Sequence, residues 1–279
     1  WGLSRISSRQ QPDYKTATYK YEDASDGHGV EVYVVDTGIY VQHNDFEGRA
    51  THGFTAPGIT EGDDDLNGHG THVAGIIGGA EHGVAKKASL VAVKVLNSFG
   101  SGMTSDLVAG MEYIVQQHAA NNNSKSVMNL SLGMSGSAVV DEALEASIRA
   151  GVSAAVVSGN SNSDACMFSP GRVETALTAA AMDITDSMLE SSNYGTCINI
   201  LAPGSSIKST FIGSPDATAV MSGSSLAGPH AAGWMARYMS AFDLSLTPAE
   251  VMEALEEIST KDVLNIPPGK EETPNRLVY

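Results

Sequence analysis

Cysteine is nearly absent from this chain: two residues in 279 are too few for the cross-linked scaffold that small secreted domains need. Positive charge is also thin, with 16 lysines and arginines against 32 aspartates and glutamates and a net charge of −16. Such a field repels phosphate backbones and anionic headgroups, so neither nucleic acid nor a membrane surface is an expected partner. No apolar run approaches the ~20 residues of a bilayer-spanning helix. The opening Trp1-Gly-Leu-Ser4 has neither the charged nor the apolar region of a signal peptide, so a mature chain is expected. Aromatic residues make up only 6%, and Tyr14, Tyr19 and Tyr21 are expected to pack with their hydroxyls wet.

What is present is a hydrophobic content of 42%, enough for a large buried core, and one domain over 1–279 is expected. Residues 1–28 read as a segment wrapped over that core. Val30 to Val35 reads as a strand whose alternation is lost because both faces are buried, as in a parallel sheet. Tyr40 to Asp65 reads as irregular. Further strands are expected at Leu90–Leu96, Val127–Leu132 and Val152–Val157, with helices over Thr104–His118 and Val139–Ala150. Strand and helix in that rhythm predict an α/β fold with a mostly parallel sheet and helices on both faces. A final helix runs from Thr247 to Ile258 with Pro248 in its first turn.

In such sheets ligands gather at the C-terminal ends of strands, and Asp36, Ser131 to Gly133 and Asn160 fall there. Three motifs concentrate the chemistry. Glu31-Val-Tyr-Val-Val-Asp-Thr-Gly38 ends a strand on a carboxylate, Asp36. Asn67-Gly-His-Gly-Thr-His-Val-Ala-Gly75 opens a helix with His69. Met221-Ser-Gly-Ser-Ser-Leu-Ala-Gly-Pro-His230 leads through a tight turn into an alanine-rich helix. A serine there, Ser225, stands where the helix dipole favours developing negative charge. A serine hydroxyl is a weak nucleophile without a base and a group that orients the base. His69 and Asp36 supply both.

Taken together the three motifs, in the order Asp36, His69, Ser225, resemble those of the subtilisin-family serine proteases. Trp1-Gly-Leu-Ser-Arg-Ile6, Gly83-Val-Ala-Lys-Lys87 and Gly100-Ser-Gly102 make the chain most similar to the proteinase K branch. The resemblance implies a subtilisin-like three-layer fold and a secreted, extracellular and monomeric endopeptidase acting on protein or peptide substrates. Its own propeptide would be inhibitor and chaperone, and catalysis would need no cofactor. It implies that Asn160 donates to the oxyanion. A substrate strand would lie between Gly100-Ser101-Gly102 and Ser131-Leu132-Gly133. The pocket for the residue before the cut would be lined by Leu132, Gly133, Val157, Ser158 and Gly159, apolar and suited to aromatic or aliphatic side chains. It also implies a Cys166–Cys197 disulfide.

Several positions depart from the family pattern. Ser224 and Leu226 replace the threonine and methionine that flank the nucleophile. Met134 stands where the family has glycine, and would narrow the entrance to the specificity pocket. Val73 takes the place of a free cysteine beside the histidine. Asn199 aligns with an aspartate that helps the relatives bind calcium, so no metal site is assigned and a structural calcium stays open. Asp63, Asp64 and Asp65 read as a solvated acidic loop, with a calcium loop as the alternative. His72 is expected to pack within its helix. Asn122-Asn-Ser124 fits a glycosylation sequon. Two other functions are weighed: a catalytically silent binding domain, and a processing protease with a narrow motif. Intact Asp36, His69, Asn160 and Ser225 speak against the first. The absence of acidic residues from the predicted pocket walls speaks against the second.

Overall fold

The computed structural model describes residues 1–21, 25–121, 125–242 and 246–279. The sequon at Asn122 lies outside them. In chain order the elements are α1 (Gly2–Arg5), β1 (Glu31–Asp36), β2 (Ala50–Thr55), α2 (His69–Gly78), β3 (Ser89–Lys94), α3 (Thr104–Ala120), β4 (Ser126–Leu130), β5 (Met134–Ser135) and α4 (Ala138–Arg149). There follow β6 (Ser153–Val157), β7 (Phe168–Ser169), β8 (Leu177–Met182), β9 (Ile200–Pro203), β10 (Ile207–Thr210), β11 (Thr218–Met221), α5 (Ser224–Ser240), α6 (Pro248–Ile258), β12 (Thr260–Lys261) and β13 (Arg276–Leu277).

Among the described residues a nine-stranded sheet runs in the order β12-β13-β9-β8-β6-β4-β1-β3-β2. Its pairings are parallel except for β12 with β13. The side-chain period of two divides β1 between two cores. Val32 and Val34 pack with Val73 and Ile77 of α2 and with the alanines of α5. Tyr33 and Val35 face the other way, with Leu107, Met111 and Ile114 of α3 and Val140 and Leu144 of α4. Helices therefore cover both faces. Apolar residues on every side explain why β1 and β4 lack alternation.

Two expectations need correction. The Tyr40–Asp65 region is not irregular throughout: it holds β2 on the sheet edge and a 3-10 turn at Asn44–Phe46. As an edge strand β2 buries little, its side chains running from one buried residue to exposed and half-buried ones, and the apolar pattern that marks a strand is missing. The Tyr19 hydroxyl is not wet. It donates to the Val84 carbonyl at 2.8 Å and accepts from Arg237 Nη1 at 2.9 Å, and burial pushes its pKa up to about 12. α6 has Pro248 in its first turn as expected, and Thr247 and Glu250 cap each other's backbone N–H.

Candidate active site

β1 ends at Asp36, fully buried, and α2 begins at His69. The two elements meet because residue 70 is glycine. A Cβ there would collide with the Gly38 carbonyl and stand 3.1 Å from Asp36 Cβ. Asp36 Oδ1 accepts from the Thr37 N–H at 2.7 Å and lies 2.7 Å from His69 Nδ1. A carboxylate only accepts, so Nδ1 carries the proton and Nε2 is left basic. The Asp36 charge holds the His69 pKa above the ordinary imidazole value, against the opposing effect of burial and with help from Asp65.

Ser225 is the second residue of α5 and is half-buried. Among the described residues no hydrogen bond joins its hydroxyl to His69; such contacts commonly tighten only around substrate. Asn160, exposed just beyond β6, accepts from the Ser224 N–H through Oδ1 at 2.8 Å. Its oxygen is thereby committed and its amide nitrogen is the group left to donate. Ser224 Oγ is buried without a partner.

Two cavities adjoin these groups. One, of about 190 Å³, is walled by Leu132, Gly133, Met134, Val157, Ser158, Gly159, Asn160, Phe168, Ser224 and Ser225, among others. The other, of about 630 Å³, takes in Thr37, Asn67, His69, Gly100, Ser101, Gly102 and Ser131 to Met134. Leu132, Gly133 and Met134 line both. All nine residues expected to bind substrate thus border one or both of these two cavities, and Met134 is among the residues the cavities share. Met134 reaches that place through β5, which pairs antiparallel with β7, so Phe168 and Ser169 complete the wall. Two-residue strands leave no sequence signal, and neither Phe168 nor Ser169 was foreseen.

Cys166 and Cys197 form a disulfide with their Cα atoms 5.4 Å apart. His72 is buried inside α2, its Nε2 3.1 Å from the Ile207 and Ala219 carbonyls. Burial lowers its pKa to about 4. It is neutral packing, not a second base.

The acidic loop is the main correction at the site. Asp65 is 4% exposed and is not solvated. Its Oδ1 accepts from Thr37 Oγ1, the Asn67 N–H and the Gly68 N–H at 2.8–3.0 Å. Its Oδ2 accepts from the Thr71 N–H and hydroxyl at 2.9 and 2.6 Å. Asp65 therefore ties the end of β1 to the first turn of α2, on either side of the Asp36–His69 contact. Asp63 and Asp64 stay outside, bonded to Thr55 and close to His52, so the three carboxylates do not converge on a cation. Asn199 does not fit a calcium ligand set either. Its Oδ1 accepts from the Thr178 N–H and its Nδ2 donates to Glu256. Among the described residues no cluster of three or more acidic, histidine or cysteine side chains forms a metal site.

Lys94 is another residue that the sequence did not single out. It pairs with Asp36 in the β1–β3 register and is fully buried. Its ammonium donates to the Thr37 carbonyl at 2.7 Å and to Glu61 at 3.3 Å, and this pairing is what makes a buried cation tolerable. A lysine inside a strand gives no hint of a partner 33 positions away.

Known proteins resemble this chain over its whole length. The subtilase family model matches residues 27–275. The chain is 44% identical over 298 residues to cerevisin of Saccharomyces cerevisiae, covering all of this chain and 46% of that protein. It is 45% identical over 293 residues to the subtilisin-like serine protease Rho m 2.0101 of Rhodotorula mucilaginosa, covering all of this chain and 85% of the relative. Against subtilisin-like protease 3 of Saccharomyces cerevisiae the identity is 43%, with 61% of the relative covered. The chain thus spans about half to three-fifths of two of these relatives. A solved cold-adapted subtilisin-like serine proteinase superposes with a TM-score of 0.90 at 39% identity, over all of this chain and 97% of that one. With the family model matched over most of its length, a mostly parallel sheet, an Asp36–His69 contact and a serine at the head of α5, the chain belongs to the subtilase family.

Proposed function

We propose that the protein is a serine endopeptidase that cleaves peptide bonds through an acyl-enzyme. Ser225 attacks the carbonyl carbon while His69 Nε2 takes its proton and returns it to the leaving amine. Asp36 fixes the tautomer and stabilises the imidazolium. The Asn160 amide and the Ser225 N–H hold the oxyanion, and the unpartnered Ser224 hydroxyl is a third donor within reach of that cavity. The substrate strand pairs between Gly100–Gly102 and Ser131–Gly133, and the smaller cavity, lined by Leu132, Met134, Val157 and Phe168 and by no charged side chain, favours aromatic or aliphatic side chains before the cut. The observation that carries this reading is the 2.7 Å Asp36–His69 contact, with His69 on a cavity that shares Leu132, Gly133 and Met134 with the one Ser225 lines.

The same groove would accept a propeptide tail as a product-like inhibitor. The disulfide fits an oxidising compartment outside the cytosol, which supports secretion, and we place the enzyme there as a monomer made of a single domain.

The test is hydrolysis of a chromogenic peptide with phenylalanine before the cut, by the parent chain, by Ser225→Ala, and after treatment with a sulfonyl fluoride. Turnover lost in both comparisons supports the nucleophile and the reaction together. An inactive parent chain whose Ser225 is not labelled would replace this reading with a silent binding domain.

A further inference from the structure

Pro229 lies inside α5. Proline has no N–H, so the carbonyl four residues earlier loses its helical donor. That carbonyl belongs to Ser225. It is nevertheless paired, because the Ser131 hydroxyl donates to it at 2.8 Å. A carbonyl only accepts, so the Ser131 proton is committed there. The Ser131 oxygen in turn accepts from Asn129 Nδ2 at 2.9 Å. Both side chains are sealed from solvent, Ser131 at 3% and Asn129 at 0% exposure. Gly228 makes the approach possible: a Cβ there would stand 2.7 Å from Val157 Cγ1 and 3.6 Å from Ser131 Oγ. A two-step relay therefore runs from β4 across to the first turn of α5. It ends on the backbone of the residue that carries the proposed nucleophile.

We infer that Ser131 is a positioning residue for Ser225, its hydroxyl standing in for the helical N–H that Pro229 removes. The inference rests on the serine-protease reading and gives Ser131 a task beyond the substrate edge, where its main chain lies. The Ser131 hydroxyl touches no reacting atom. It fixes one end of a residue whose N–H faces the oxyanion and whose Oγ must meet a carbonyl carbon, and small displacements of such groups are costly in rate. An unpaired carbonyl would let that turn shift, or draw in a water, while the pocket for the side chain before the cut stays as it is. Loss of the relay should therefore appear in kcat and leave KM nearly unchanged.

The pairing of Ser131 with Pro229 is tested by a double-mutant cycle. Ser131→Ala is made in the parent and in a Pro229→Ala background, where an alanine N–H restores the helical donor. In the parent the substitution should lower kcat about tenfold or more, with KM within about twofold. The rate of sulfonyl fluoride labelling should fall in step. In the Pro229→Ala background the same substitution should change kcat by less than about twofold, since the Ser225 carbonyl no longer depends on position 131. Ser131→Thr, which keeps the hydroxyl, should retain most of kcat. Equal losses in both backgrounds, or a loss confined to KM, would overturn the inference.

Thermal unfolding of the same proteins gives a second readout that needs no activity. Ser131→Ala should lower Tm more in the parent than in the Pro229→Ala background, and equal Tm losses would overturn the pairing. A parent chain without hydrolysis would sink the protease reading, while the unfolding midpoints would still decide whether Ser131 serves the carbonyl that Pro229 frees.

Discussion

The Asp36 carboxylate and the His69 ring are joined at 2.7 Å, Oδ1 to Nδ1, with the carboxylate fully buried and the ring at the mouth of the cleft. The protonated imidazole is stabilised by that charge, which lifts the His69 pKa above its ordinary value. Catalysis needs the neutral ring, so kcat/KM should rise with pH along a limb whose midpoint lies above the ~6.5 of a free imidazole. A pH profile on a peptide anilide reads this directly. A midpoint at or below the free value would contradict the coupling.

Asn160 is tied through its oxygen to the Ser224 N–H at 2.8 Å, which leaves the nitrogen to donate. Asn160→Ala should lower turnover by about 10²–10³, the magnitude known for the loss of such a donor in subtilisin, with little change in KM. A kcat close to that of the parent would remove Asn160 from the oxyanion site.

How much of this was legible in the sequence depended on pattern length. β1, β3, β4 and β6 and the long helices announced themselves, because buried runs and 3.6-residue periodicity need only local residues. Asp36, His69 and Ser225 were singled out because each sits at the end of such an element. β5 and β7 are two residues long, and nothing in Met134-Ser135 or Phe168-Ser169 says that they pair. Asp65 was misjudged for a different reason. In Glu61-Gly-Asp-Asp-Asp65 the three aspartates have the same local chemistry, and only the fold turns the last one inward to meet Thr37 and Thr71. Ser131 was placed at the strand end, but the use of its hydroxyl depends on a proline 98 positions later in the chain.

Leu226 is 1% exposed and follows Ser225, the proposed nucleophile, where a thioether would become a polar sulfoxide on oxidation. The exposed methionines are Met103 and Met167. Peroxide should therefore add oxygen at those two positions, seen by mass spectrometry, while hydrolysis of a short peptide anilide is largely kept. Rapid inactivation with the disulfide intact would count against this reading.

The Cys166–Cys197 bridge closes a loop with a sequence separation of 31. Replacing both cysteines by serine should lower the unfolding free energy by about 3–4 kcal/mol on the chain-entropy account. Denaturant unfolding of the two proteins would measure the difference, and a loss below about 1 kcal/mol would show that the unfolded chain gains little freedom when the loop is opened.

Asp65 acts on the same histidine as Asp36, from the far side of the turn and without touching it. Its charge adds to the rise in the His69 pKa, while its oxygens hold Thr37, Gly68 and Thr71. The two effects separate by substitution. Asp65→Asn removes the charge but keeps one acceptor oxygen, so the His69 pKa should fall and the acid limb of kcat/KM should move to lower pH, because less acid is tolerated by a base that is stabilised when charged and more by one that is not. Asp65→Ala removes the acceptors as well, and the first turn of α2 should loosen against β1, lowering Tm together with kcat. If Asp65→Asn left the limb in place, the carboxylate would be a purely mechanical tie. If it moved the limb upward, the sign of the electrostatic coupling between Asp65 and His69 would be wrong.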